Sequence, residues 1–210
     1  IYTLSLHDAL PIWLLRKVWV HRLPPGAAPV APSLRNLGRP GRLRWIAGRR
    51  TTEETWDAFE GVTGKPLLPL ASKPQPWGQV RFWLLDLARE LQAAEKDGTL
   101  PPVLDLDRVW ITADGRAKLL DFPAPGLDLH WRTQGADTPA DAPPIIGRRL
   151  SSQEFLSQVA GAALEGKGSG AAEVPALPPR RPLPLAAREF LVKLRTFRSE
   201  EHTSELQSQF

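Results

Sequence analysis

Apolar residues recur at helical spacing in three stretches of the chain. In "QVRFWLLDLARELQAAEKDG" (79–98) Val80, Trp83, Leu84, Leu87, Leu91 and Ala94 fall on one stripe, and Gly98 supplies a left-handed stop. "SSQEFLSQVAGAALEGKG" (151–168) opens with Ser151 and Glu154 in capping-box spacing, carries Phe155, Val159 and Ala163 along one face, and ends at Gly166. "PLAAREFLVKLRTF" (184–197) follows Pro184 and places Ala187, Phe190, Leu191 and Leu194 together. Shorter apolar runs predict strands at 18–20, 43–46, 56–59, 109–112 and 117–120. The last two flank "ADG", whose Asp-Gly suits a hairpin turn. Trp45, Trp56, Trp83 and Trp110 lie inside these elements and are expected in the core. The Pro-rich connections "LPPGAAPVAPS", "DTPADAPP" and "VPALPPRRPLP" read as poorly ordered surface segments.

Composition changes this picture at the two ends. "IYTLSLHDALPI" (1–12) and "RSEEHTSELQSQF" (198–210) share nothing with the Pro/Arg/Trp-rich interior, and both resemble translations of the adapter oligonucleotides ligated to DNA for short-read sequencing. They are expected to be artefacts, with 13–197 a piece of a longer gene. Of 27 basic and 23 acidic residues, setting aside Arg198, Asp8, Glu200, Glu201 and Glu205 leaves 26 and 19, a formal charge of +7 instead of +4. The interior then holds two histidines, His21 and His130, and the chain has no cysteine, which excludes a Cys/His metal cluster. No apolar run approaches the ~18 to 20 residues of a membrane span, and the interior length suits about one domain.

The order of a long amphipathic helix, a hairpin and then Asp-Phe is similar to the centre of a protein kinase C-lobe. "RVWITADGRAKLLDF" (108–122) resembles the kinase pattern "NILLDEDGRVKLLDF" without gaps, and "AFEGVTGKPL" (58–67) resembles the hinge pattern "VMEYVEGESL". The resemblance implies an α+β, protein-kinase-like fold of the bacterial serine/threonine type. It would have a partial, Arg/Pro-rich N-lobe remnant at 13–55 and a mostly helical C-lobe with its hinge at 56–197. Phe59 would be the gatekeeper, and Glu60 to Val62 the hinge that binds adenine through backbone groups. Asp121 would be the metal-binding Asp of Asp-Phe-Gly, with Pro123 in place of the glycine.

The same alignment implies lost chemistry. Phosphoryl transfer in kinases rests on a Lys–Glu pair at the phosphates, an Asp beside the substrate hydroxyl, and an Asn and an Asp on Mg²⁺. The catalytic-loop pattern falls on "PPVLDLDR", so Val103 stands at the catalytic Asp position and Arg108 at the metal-binding Asn. Valine accepts no proton, and a guanidinium repels a cation. "KVWVH" resembles the strand around V-A-I-K, with His21 at the phosphate lysine. Residues 13–52 contain no Asp or Glu to complete a Lys–Glu pair, and Pro24, Pro25, Pro29 and Pro32 oppose a long helix there. Asp105 and Asp107, alternating with Leu104 and Leu106, read as the solvated face of an extended segment.

These losses lead to the expectation of a pseudokinase: a binding, scaffolding or regulatory module of a larger bacterial protein, cytoplasmic, whose partner is another protein or other domains of the same chain. No cofactor is expected, with Mg·ATP at Asp121 the alternative that belongs to an active kinase. A third reading starts from Arg16, Lys17, Arg22, Arg35, Arg39, Arg42, Arg44, Arg49 and Arg50, which could bind a polyanion; nucleic acid is not the expected partner, because no exposed aromatics interleave with these cations. Asp128, His130, Ser151 and Ser152 lack a G-x-S-x-G elbow, and the serines read as helix caps.

Overall fold

The structure is a computed structural model, and it describes Tyr2–Thr3, residues 17–127 and 150–166, and a few positions between 184 and 192. The fold is mixed α+β with two small antiparallel sheets. The first has the order β1-β2-β4-β3, formed by β1 (Tyr2–Thr3), β2 (Val18–Arg22), β3 (Trp45–Arg50) and β4 (Thr55–Glu60). The second has the order β5-β6-β7, formed by β5 (Gly64–Pro66), β6 (Val109–Thr112) and β7 (Ala117–Leu119). Helices α1 (Pro32–Arg35) and α2 (Leu67–Leu70) are single turns, whereas α3 (Trp77–Asp97) and α4 (Ser152–Glu165) are long.

Both long helices obey their sequence signals. All six stripe residues of α3 are buried, and Gly98 ends it at φ 70°. In α4 the Ser151 side chain accepts from the Glu154 N–H while the Glu154 carboxylate accepts from the Ser151 N–H. Phe155, Val159 and Ala163 are fully buried against α3 and the hairpin, with Leu87, Leu91, Val109 and Leu119 in the same core. The hairpin pairs Val109 with Leu119 and Ile111 with Ala117 around Ala113–Asp114–Gly115, a three-residue loop with Gly115 in the left-handed region. Its turn is anchored to α3 by the Trp83 indole, which donates to the Gly115 carbonyl (3.1 Å).

A second apolar cluster joins the first sheet to the hairpin. Trp19, Leu43, Phe59, Trp110, Leu120, Phe122 and Ala124 form it, with Trp45 and Val62 packed against its edge. Of the four tryptophans expected in the core, Trp83 and Trp110 are buried, while Trp45 and Trp56 are half-buried.

Several expectations need correction. The strand expected at 43–46 lies at 45–50: Leu43 and Arg42 turn inward before the strand begins, and Arg50 is tolerated within it because its guanidinium reaches Asp57 (2.7 Å). "LPPGAAPVAPS" is not loose, since Arg50 also holds the carbonyls of Ala27 (3.1 Å) and Ala28 (3.2 Å) and α1 starts at Pro32. Asp105 is exposed between buried Leu104 and Leu106, as read, but Asp107 sits half-buried in a 3-10 turn, Leu106–Arg108.

In the helix expected at 184–197, Leu185, Arg188, Glu189 and Val192 are helical. Ala187, Phe190, Leu191 and Leu194 lie outside the described residues, as do Arg16, Asp128, His130, residues 198–210, "DTPADAPP" and nearly all of "VPALPPRRPLP". Tyr2–Thr3 pairs with the open edge of β2, opposite Trp19 and Val20. Such edge pairing uses backbone groups alone and is indifferent to sequence.

Candidate functional site

Of the positions singled out in the sequence, His21, Phe59, Arg108, Asp121 and Phe122 come together between the first sheet and the hairpin. β2 pairs with β4 so that His21 lies opposite Asp57, Trp19 opposite Phe59 and Val18 opposite Glu60. Alternation along β2 then turns Trp19 and His21 to the same face, toward the hairpin. There the His21 ring stacks on Phe122 (centroids 4.7 Å, planes at 21°), and Phe59 also tilts against Phe122 at 4.9 Å. Trp19 meets Trp110 edge to face at 4.7 Å. The two indoles therefore fill the space beside the hinge-like stretch, where Val62 packs on the same cluster.

Backbone groups of that stretch are engaged. The Glu60 N–H donates to the Arg44 carbonyl (2.9 Å), and the Gly61 N–H donates to the Lys17 carbonyl (2.8 Å). The Glu60 side chain is exposed.

Asp121 lies two residues past the end of β7, and two arginines hold it. Arg42 donates through Nη2 to the Asp121 carboxylate. Arg108 donates through Nη1 to the Asp121 carbonyl (2.7 Å). Burial pushes the Asp121 carboxyl above its ordinary value, against the pull of Arg42 and Arg108. Arg42 is itself fully buried and also lies 3.6 Å from Glu90 of α3. Arg39 reaches the same Glu90 (3.0 Å) as well as Asp97 (3.1 Å). Burial raises the Glu90 carboxyl too, with Arg39 and Arg42 opposing. Val103 lies apart from this network with 44% of its surface exposed.

The network explains how an acid-free N-terminal segment is accommodated. Arg39 and Arg42 find their counter-ions on α3 and beyond β7, whereas Arg49 and Arg50 pair with Glu54 and Asp57 beside their own strand. Sequence reasoning missed Arg39, Arg42 and Glu90 as a group, yet a signal was present: Glu90 falls on the apolar stripe of α3, between Leu87 and Leu91. A carboxylate on a buried stripe requires a cation to meet it. Asp86, on the same helix, is matched by Arg116 (2.7 Å) and by the Ala117 N–H (3.1 Å).

No protein-family model matches the chain, and no curated protein matches it. Among the described residues no helix is long and apolar enough to cross a membrane.

Proposed function

We propose that the chain is a kinase-like domain without phosphotransfer chemistry, serving as a cytoplasmic binding or scaffolding module for a protein partner or for other domains of a longer bacterial chain. The observation that carries this reading is the Trp19–Trp110 contact. Trp19 stands at the alanine of the V-A-I-K pattern and Trp110 in the hairpin strand, and together they occupy the space against the hinge-like residues that an adenine would need.

The phosphate end of the same cleft supports the reading. His21, at the lysine position, stacks on Phe122. The residues present do not suit Mg²⁺: the Asp121 carboxylate is taken by a buried guanidinium, and the Asn position is Arg108, a second cation bound to the Asp121 backbone. A divalent ion would have to displace Arg42 and leave it buried without its partner. Val103 supplies no base. What remains among the described residues is a packed, ion-paired scaffold.

The test is calorimetric titration of the chain with Mg·ATP, together with an assay for transfer of the terminal phosphate. Neither saturable heat nor transfer is expected. Metal-dependent ATP binding that disappears in Asp121→Asn would overturn the reading.

A further inference from the structure

The surface that the Arg-rich segment presents after its internal ion pairs are satisfied is small and concave. Arg49 is spent on Glu54 (3.1 Å), Arg50 on Asp57, Arg39 on Glu90 and Asp97, and Arg42 on Glu90 and Asp121. Three cations remain around one groove of about 660 Å³: Arg35 at the end of α1, Arg44 just before β3, and Lys118 of β7. None of the three has a carboxylate within ion-pairing distance among the described residues. Arg35 lies over the Trp45 ring (5.6 Å) and donates to the Val30 carbonyl (2.8 Å), so it is held in place at the groove. Arg44 is exposed.

Lys118 is the most informative of the three. Its ammonium donates to the carbonyls of Pro40 (2.6 Å) and Arg42 (3.1 Å), which orient it without neutralising it. Burial depresses its pKa, the response of a cation that lacks a full counter-charge. Arg39 and Arg42 also line the groove, and the Nε of each is buried with no hydrogen-bond partner among the described residues. One carboxylate, Glu60, stands on the rim.

We propose that this groove binds a compact phosphate-bearing anion. Its size and the pairing of Arg49 and Arg50 argue against an extended polymer, which needs a continuous stripe of free cations. A small multiply charged anion would instead meet Arg35, Arg44 and Lys118 together and supply the missing counter-charge. The groove borders the Trp19–Trp110 cluster at Trp45, but the cations that would meet the anion, Arg35, Arg44 and Lys118, take no part in the pseudokinase reading, so the proposal does not rest on it.

The test is titration of the full chain at low ionic strength, by calorimetry, with inorganic pyrophosphate and separately with glycerol 2-phosphate. Whichever binds more tightly distinguishes a free polyphosphate from a phosphate ester as the source. One saturable site is expected. Arg44→Ala and Arg35→Ala, both at exposed positions, should each weaken it about tenfold. Glu60→Gln, which removes the rim carboxylate, should tighten it several-fold, and Arg49→Ala should leave it unchanged. Absence of saturable binding to either anion would overturn the proposal. So would equal weakening by Arg49→Ala, or a heparin fragment binding with the same loss in Arg49→Ala as in Arg44→Ala, since each marks a diffuse basic surface.

Discussion

Arg42 and Asp121, 79 residues apart, are joined by an ion pair in which the donor is fully buried. The pair ties the Arg-rich segment to the chain just beyond β7, and through Glu90 it ties both to α3. Removing the cation leaves the Asp121 carboxylate without its ion-pair partner and Glu90 with Arg39 alone. Arg42→Ala should therefore lose about 3–5 kcal/mol of stability in urea unfolding. Arg42→Lys should lose less but still clearly, because one ammonium cannot present separate donors to Glu90 and Asp121 as the guanidinium does.

The acids of this network give stability a defined pH dependence. Glu90 and Asp121 are raised by burial in the folded state, so their protonated forms are favoured there. Their contribution is fully present below the ordinary values of 4.5 and 3.8 and is lost as pH rises through the higher folded values. Asp86 behaves oppositely. Burial alone would raise it, but the Arg116 guanidinium and the Ala117 N–H outweigh burial, so its contribution is present above pH 3.8 and lost as pH falls. Urea midpoints measured from pH 3 to about 8 should fall on both sides of a mildly acidic maximum. Glu90→Gln should flatten the neutral limb, and Asp86→Asn the acid limb.

Much of this architecture was legible before any coordinates. The helices at α3 and α4 and the β6–β7 hairpin carry strong local signals: a full apolar stripe, a capping box, and Asp-Gly between two apolar runs. β3 was less legible because its residues 47–50 are Ala-Gly-Arg-Arg, whose strand conformation depends on pairing with β4 and on the Arg50–Asp57 contact. β5, only Gly64–Pro66, is too short and polar to carry a strand signal. Of the candidate site, the positions His21, Asp121 and Arg108 were singled out through the resemblance to kinase motifs. Which partner each would meet could not be read, since Arg42–Asp121 and Trp19–Trp110 are contacts between distant segments with no local sequence mark.

On the proposed reading, placing the kinase residues at positions 103 and 108 should not produce phosphate transfer. Val103 is exposed, so Val103→Asp is expected to change stability by no more than about 0.5 kcal/mol. Arg108→Asn loses the bond to the Asp121 carbonyl and should cost about 1–2 kcal/mol. The double variant should still show no phosphate transfer from Mg·ATP, because Trp19, His21 and the Arg42–Asp121 pair are untouched. Transfer by the double variant would mean that the cleft opens further than its packing suggests.

Trimming the chain to residues 13–197 should leave its unfolding midpoint nearly unchanged. The one described interaction removed is the two-residue pairing of Tyr2–Thr3 with Trp19 and Val20 at a sheet edge. Two residues of edge ladder, at roughly 0.5–1.5 kcal/mol for each hydrogen bond, are opposed by the entropy of ordering the segment. A loss above about 2 kcal/mol would show that this edge strand contributes to the fold.

At Gly41 the backbone of the Arg-rich segment packs directly against Glu90 of α3. A Cβ there would lie 2.7 Å from both the Cβ and an oxygen of Glu90, and the backbone cannot retreat, because the Gly41 carbonyl accepts from the Leu119 N–H (2.8 Å) on β7. Gly41→Ala should therefore cost about 1–3 kcal/mol and displace Glu90 from Arg39 and Arg42. If that displacement is the cause, the cost should shrink by about 1 kcal/mol or more in a Glu90→Ala background, which a double-mutant cycle measures directly. Gly161, in the middle of α4, provides the contrast: a Cβ there meets nothing within 4 Å, so Gly161→Ala should stabilise the chain by about 0.5–1 kcal/mol through helix propensity. Opposite signs at the two glycines would separate steric closure of the Arg42–Glu90 junction from any general effect of adding a methyl group.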